Sequence, residues 1–77
     1  MDTTAIQVGT RVRALSDRVF DYAGLTSPLV IWKAGQVLEI QGVIQMEGYR
    51  EFLIKTGDGT DWENVPEPLM SELFITS

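Results

Sequence analysis

The densest group of chemically capable side chains in this 77-residue sequence is acidic: Asp58, Asp61 and Glu63, in the run Asp58-Gly59-Thr60-Asp61-Trp62-Glu63-Asn64. Such oxygen donors suit Ca²⁺, but a calcium loop needs about six of them at set positions, and this run lacks the EF-hand spacing. A turn aspartate followed by solvated strand charges accounts for it with fewer assumptions. Two carboxylates can also act as acid and base, if held about 5 to 9.5 Å apart across a substrate cleft, and a domain of this size offers little cleft. The chain has no His and no Cys. That excludes Ser-His-Asp and Cys-His nucleophiles, zinc fingers, haem-histidine and iron–sulfur ligation, and a histidine pH switch. The expectation is a protein that is not an enzyme, binds no metal and carries no cofactor.

Binding is the remaining capacity, and the aromatic residues are its first candidates. Trp32, Phe52 and Phe74 sit in apolar sequence and are expected in a core. Phe20 and Tyr22 stand instead in a polar stretch beside Asp17 and Asp21. On an exposed loop these four would form an aromatic and acidic patch suited to a basic protein partner; the alternative is that Phe20 only tucks the loop onto the body. Tyr49 and Trp62 flank neighbouring strands and would complete the patch if Trp62 points outward. The net charge of −5, with Arg11, Arg13, Arg18, Lys33, Arg50 and Lys55 scattered along the chain, argues against nucleic acid or an anionic membrane as the partner, since both require clustered cations.

These side chains must be positioned by one small domain, because the length leaves no room for two cores. At 44% hydrophobic residues the composition supports a core, although a domain of this size buries only about 60% of its unfolded surface. Residues 9–77 are expected to form the domain, and residues 1–8 a tail or an edge strand in which Ile6 and Val8 alternate. The start of the chain has no basic and apolar leader pattern, and no run is long enough to span a bilayer, so a soluble cytoplasmic location is expected.

Period-2 alternation and β-branched residues between Gly-containing breaks mark an all-β chain. The first strand is expected at residues 10–15, with Val12 and Ala14 on one face and Arg11 and Arg13 on the other. Residues 16–34 begin too polar for a strand and end apolar in Leu29-Val30-Ile31-Trp32, an excursion that goes out and returns. The clearest strand spans 36–46 and places Leu38, Ile40, Gly42, Ile44 and Met46 on one face, with Gly42 suggesting a bend or bulge. Glu47-Gly48 turns into a strand at 49–55 with Phe52 and Ile54 inward. Asp58-Gly59 is a hairpin signal, and 61–65 returns as the partner strand. Pro66 and Pro68 cannot continue a ladder, so 66–70 is expected as a short helical turn before a last strand at 72–76.

Five short strands, a long first loop, a tight hairpin between the third and fourth strands and a Pro-containing turn before the fifth resemble an SH3-like barrel over about residues 9–74. Val12-Arg13-Ala14-Leu15 is similar to that family's opening strand. Lys33-Ala34-Gly35-Gln36-Val37-Leu38-Glu39-Ile40 is similar to its diverging turn and second strand. Trp62-Glu63-Asn64-Val65-Pro66-Glu67-Pro68-Leu69 is similar to its fourth strand and following turn. Pro66 matches the family's groove proline and Tyr49 stands offset from its groove tryptophan, whereas Ser16 and Leu69 occupy places where polyproline-binding members carry tyrosine. The chain is thus more similar to the small SH3-like domains of bacterial and phage proteins, which serve as docking modules or subunits.

The expected function is a small acidic protein-interaction or regulatory module. Its contact surface is assigned to Phe20, Tyr22, Tyr49, Trp62, Pro66, Asp17 and Asp21. Two other classes fit the same sequence: an obligate subunit of a homo-oligomer or enzyme assembly with a site between chains, and a phage or mobile-element inhibitor that uses its acidity as charge mimicry.

Overall fold

The computed structural model describes residues 1–20, 29–55, 59 and 62–77. It is mostly β: β1 (Arg11–Ala14), β2 (Arg18–Phe20), β3 (Leu29–Trp32), β4 (Val37–Gln45), β5 (Arg50–Lys55), β6 (Trp62–Pro66), a helix α1 (Glu67–Leu73) and β7 (Phe74–Thr76). Five strands form one antiparallel sheet in the order β6-β5-β4-β1-β7, and β2 and β3 form a separate two-stranded ribbon. The five strands expected from alternation are those of the large sheet. The ribbon is a correction, since Arg18–Phe20 pairs with β3 where the polar start of that segment argued against a strand. Three residues suffice, because β3 supplies the ladder partners and Val19 and Phe20 have high strand propensity.

Alternation works where the ladder is regular. In β1, Val12 and Ala14 are buried while Arg11 and Arg13 are exposed, and in β5 Phe52 and Ile54 are buried. It fails in β4, because the pairing with β5 slips between Ile40 and Gly42: Ile40 faces Ile54, yet Gly42 already faces Leu53 and Val43 faces Phe52. One extra residue in a ladder turns every later side chain to the opposite face. Leu38 and Ile40 are therefore buried as expected, whereas Ile44 and Met46, expected beside them, are exposed.

The core consists of Ile6, Val12, Ala14, Ile31, Trp32, Leu38, Ile40, Phe52, Ile54, Val65, Met70 and Phe74, with Leu73 packed against it. Trp32 and Phe74 meet with ring centroids 5.1 Å apart at a tilt of 50°, an arrangement that ring quadrupoles favour over a stacked sandwich. Each large side chain removed from water contributes roughly 1.5–3 kcal/mol. The chain contains no Cys and hence no disulfide, so this packing carries the fold.

Before β7 the chain forms a helix, longer than the 66–70 turn expected. Pro66 is its N-cap and Pro68 lies in its first turn, where a missing N–H costs nothing because those donors have no partner inside the helix. Met70 turns inward, and the Phe74 N–H closes the end on the Met70 carbonyl.

The N-terminal segment is neither a tail nor an edge strand. Thr3–Ala5 form a 3₁₀ turn capped by Asp2, whose carboxylate accepts from the Thr4 N–H, and Ile6 enters the core. Arg50 fixes this segment. Its guanidinium donates to the carbonyls of Thr3 at 2.6 Å and Ile6 at 3.4 Å, and to both carboxylate oxygens of Glu67 at the start of α1.

Candidate interaction surface

The turn between β3 and β4 sets the direction of the ribbon. Gly35 sits at φ +83°, a left-handed conformation that glycine adopts without steric cost. Its N–H donates to the Ala14 carbonyl at 2.8 Å, and the Arg13 Nη1 returns a hydrogen bond to the Gly35 carbonyl at 2.9 Å. Asp17 belongs to the same construction, with its Oδ1 accepting the Ala34 N–H at 2.8 Å. This candidate contact residue thus holds the base of the ribbon.

From that base the ribbon leaves the core. Ile31 and Trp32 are buried, but Val19, Phe20, Leu29 and Val30 are all exposed. Phe20 faces Leu29 across the ladder and Val19 faces Val30. Phe20 is 51% exposed and Leu29 54%, so about half of each side chain faces water. A two-stranded arm with apolar side chains on both faces results, and Val19, Leu29 and Val30 join Phe20 on it. Sequence alone assigned these three to no surface, although a β-branched, apolar run with no polar alternation was the available sign. Asp21 and Tyr22, the other acidic and aromatic candidates of this segment, lie outside the described residues.

The remaining candidates lie on β5 and β6. Trp62 points outward and is 52% exposed. The Lys55 ammonium stands 5.9 Å from the centre of its ring, across the ladder from it. Pro66 shares this outward face at the far end of β6 and is half-buried, opposite Glu51. Tyr49 is exposed in the turn before β5, where its carbonyl accepts from the Met46 N–H at 2.7 Å.

One ion pair links the arm to this sheet: Arg18 Nη2 to Glu63 Oε1 at 2.7 Å, reinforced by Arg18 Nε at 3.2 Å. Glu63, a member of the acidic stretch, is therefore a structural partner, and Asp58 and Asp61 lie outside the described residues. Arg18 and Glu63 join β2 to the strand that carries Trp62 and Pro66, so the arm and that strand are held together.

Comparison with protein-family models, curated proteins and solved structures gives no match for the chain. The surface must be judged on its own chemistry. Apolar and aromatic side chains on the β2–β3 arm, and an outward tryptophan on β6, can bury area against another protein. Among the described residues, no helix is long and apolar enough to cross a membrane.

Proposed function

We propose that this protein is a small protein-interaction module with an SH3-like barrel architecture. Its contact surface is the β2–β3 arm, led by Phe20 and Leu29, together with Trp62, Pro66 and Tyr49 of the adjoining sheet. The architectural part is supported by the sheet order β6-β5-β4-β1-β7, with the ribbon inserted between β1 and β4. That is the strand sequence and long first excursion which the opening, diverging-turn and proline-turn segments resemble.

The observation that carries the functional part is the contrast among aromatics. Trp32, Phe52 and Phe74 are essentially fully buried, while Phe20 and Trp62 each leave about half their surface in water. A chain short of core material gains by burying large rings. Two rings left outside, one on an apolar arm, therefore favour a surface that is covered by a partner, because aromatic side chains dominate the desolvated centres of interfaces. The net charge of −5 favours a basic partner through faster, steered encounter.

The test is affinity capture from the organism's own extract at low and high salt, followed by a measured Kd for the identified partner. The comparison is the Phe20→Ala, Leu29→Ala variant, which changes only exposed positions. The expected result is a stoichiometric partner whose Kd rises at least tenfold in a variant that keeps its circular dichroism spectrum. An unchanged Kd in a folded variant removes the arm from the contact surface.

A further inference from the structure

The outer face of the β4–β5–β6 sheet has an order that a second copy of the same face would match. Phe52, Ile54 and Val65 turn inward to the core, so the residues alternating with them turn outward. They form three cross-strand rows. Gly42, Leu53 and Asn64 make the middle row; Ile44, Glu51 and Pro66 lie on one side of it; Lys55 and Trp62 lie on the other. Neighbouring rows are two residues, or about 7 Å, apart. Gly42 has no side chain, and a Cβ built there would stand 3.4 Å from the Leu53 Cβ and 3.8 Å from its Cδ2, so the half-buried Leu53 side chain lies over Gly42 at the centre of the face.

We propose that the chain pairs with a second copy of itself through this face, about a two-fold axis that runs across the strands through the Leu53 row. Such an axis reverses strand direction and exchanges the outer rows. Glu51 then meets Lys55 of the second copy, Trp62 meets Pro66 of the second copy, and Leu53 meets its own equivalent. Each contact occurs twice, as an isologous interface requires. Face-to-face sheets stand about 10 Å apart, a gap that a glutamate and a lysine side chain reaching from opposite sides can close.

Charge is what selects this occupant. Among the described residues Glu51 has no ion-pair partner, and Lys55 stands beside the Trp62 ring with no carboxylate within ion-pair distance. Within the three described rows one anion and one cation cancel on a chain of net charge −5, and their placement either side of the axis makes the rows complementary to themselves. The inference rests on the reading above in taking Trp62 and Pro66 as contact residues; Phe20 and the arm lie on other strands and take no part.

The experiment is sedimentation equilibrium of the full chain from about 10 μM to about 1 mM, a range that covers weak association, for the wild type, Glu51→Lys, Lys55→Glu and the double exchange. The wild type is expected to show a monomer–dimer equilibrium. Each single exchange is expected to raise the Kd roughly tenfold or more, since two symmetric ion pairs become two repulsions. The double exchange restores the pairs with opposite polarity and is expected to return the Kd to within about threefold of wild type. A wild type that stays monomeric throughout overturns the proposal, as does a dimer indifferent to the single exchanges or not rescued by the double one. Phe20→Ala, Leu29→Ala leaves this equilibrium unchanged, so loss of partner binding in that variant and loss of self-association here are separate results.

Discussion

The guanidinium of Arg50 meets the carboxylate of Glu67 at two points, Nε to Oε1 at 3.2 Å and Nη2 to Oε2 at 2.8 Å. It also holds the Thr3 and Ile6 carbonyls and lies 5.0 Å from the centre of the Phe52 ring. A planar group with five donors in a fixed fork can satisfy a carboxylate and two carbonyls together, which a lysine could not. One side chain of β5 thereby ties the N-terminal segment to the first turn of α1.

This contact predicts an acid-sensitive contribution to stability. Hydrogen bonds from Arg50, and then from Thr3, hold the Glu67 carboxyl below its ordinary value of 4.5. Arg50 is itself raised by the same pairing and stays charged across the acid range. With the folded value depressed, the unfolded chain binds more protons, so the contribution is complete above about pH 4.5 and is lost as pH falls through the folded value. Urea unfolding of wild type and Glu67→Gln from about pH 7 to about pH 2.5 should show a wild-type advantage that is constant near neutrality and shrinks below about pH 4.5. An advantage unchanged down to the lowest pH would be incompatible with this pairing.

Core truncation should separate two scales of damage. Phe74 is fully buried and pairs with Trp32, so Phe74→Ala is expected to cost about 3–5 kcal/mol, whereas Ile54→Val should cost about 0.5–1.5 kcal/mol. A domain of this length has only about 4–12 kcal/mol in total. The alanine variant should therefore lie near its unfolding transition in water and the valine variant well within the folded range. Denaturation followed by tryptophan fluorescence measures both, and similar losses in the two variants would contradict the burial assigned to Phe74.

Gly35 provides a purely conformational test. A Cβ added there meets nothing within 4 Å, yet φ is +83°. Gly35→Ala should accordingly cost about 1–2 kcal/mol through the left-handed backbone alone. Asp17→Ala, which removes the acceptor of the Ala34 N–H in the same turn, should cost about 1 kcal/mol. A neutral Gly35→Ala in thermal unfolding would mean that the turn is built otherwise.

Much of the fold was legible because a regular ladder imposes a period of two. Val12 and Ala14, Leu38 and Ile40, and Phe52 and Ile54 could be placed inward by counting, and Trp32, Phe52 and Phe74 by their apolar surroundings. Counting failed beyond Gly42, because the bulge depends on how β4 and β5 share their hydrogen bonds rather than on either strand alone. Ile6 was missed for a related reason: its burial depends on Arg50 and Glu67, more than forty positions away in sequence.

The candidate surface divides in the same way. Its residue types were readable, since an aromatic in a polar stretch and a proline after a strand are properties of the chain. That Trp62 faces water, that Asp17 accepts the Ala34 N–H and that Phe20 pairs with Leu29 were decided by pairing with distant segments. Composition and local alternation determined that this chain makes a β-rich domain with a ring-bearing core. Only the tertiary structure decided which apolar side chains remained outside, because exposure is set by the register of non-local strand pairs, and a single bulged residue reverses it.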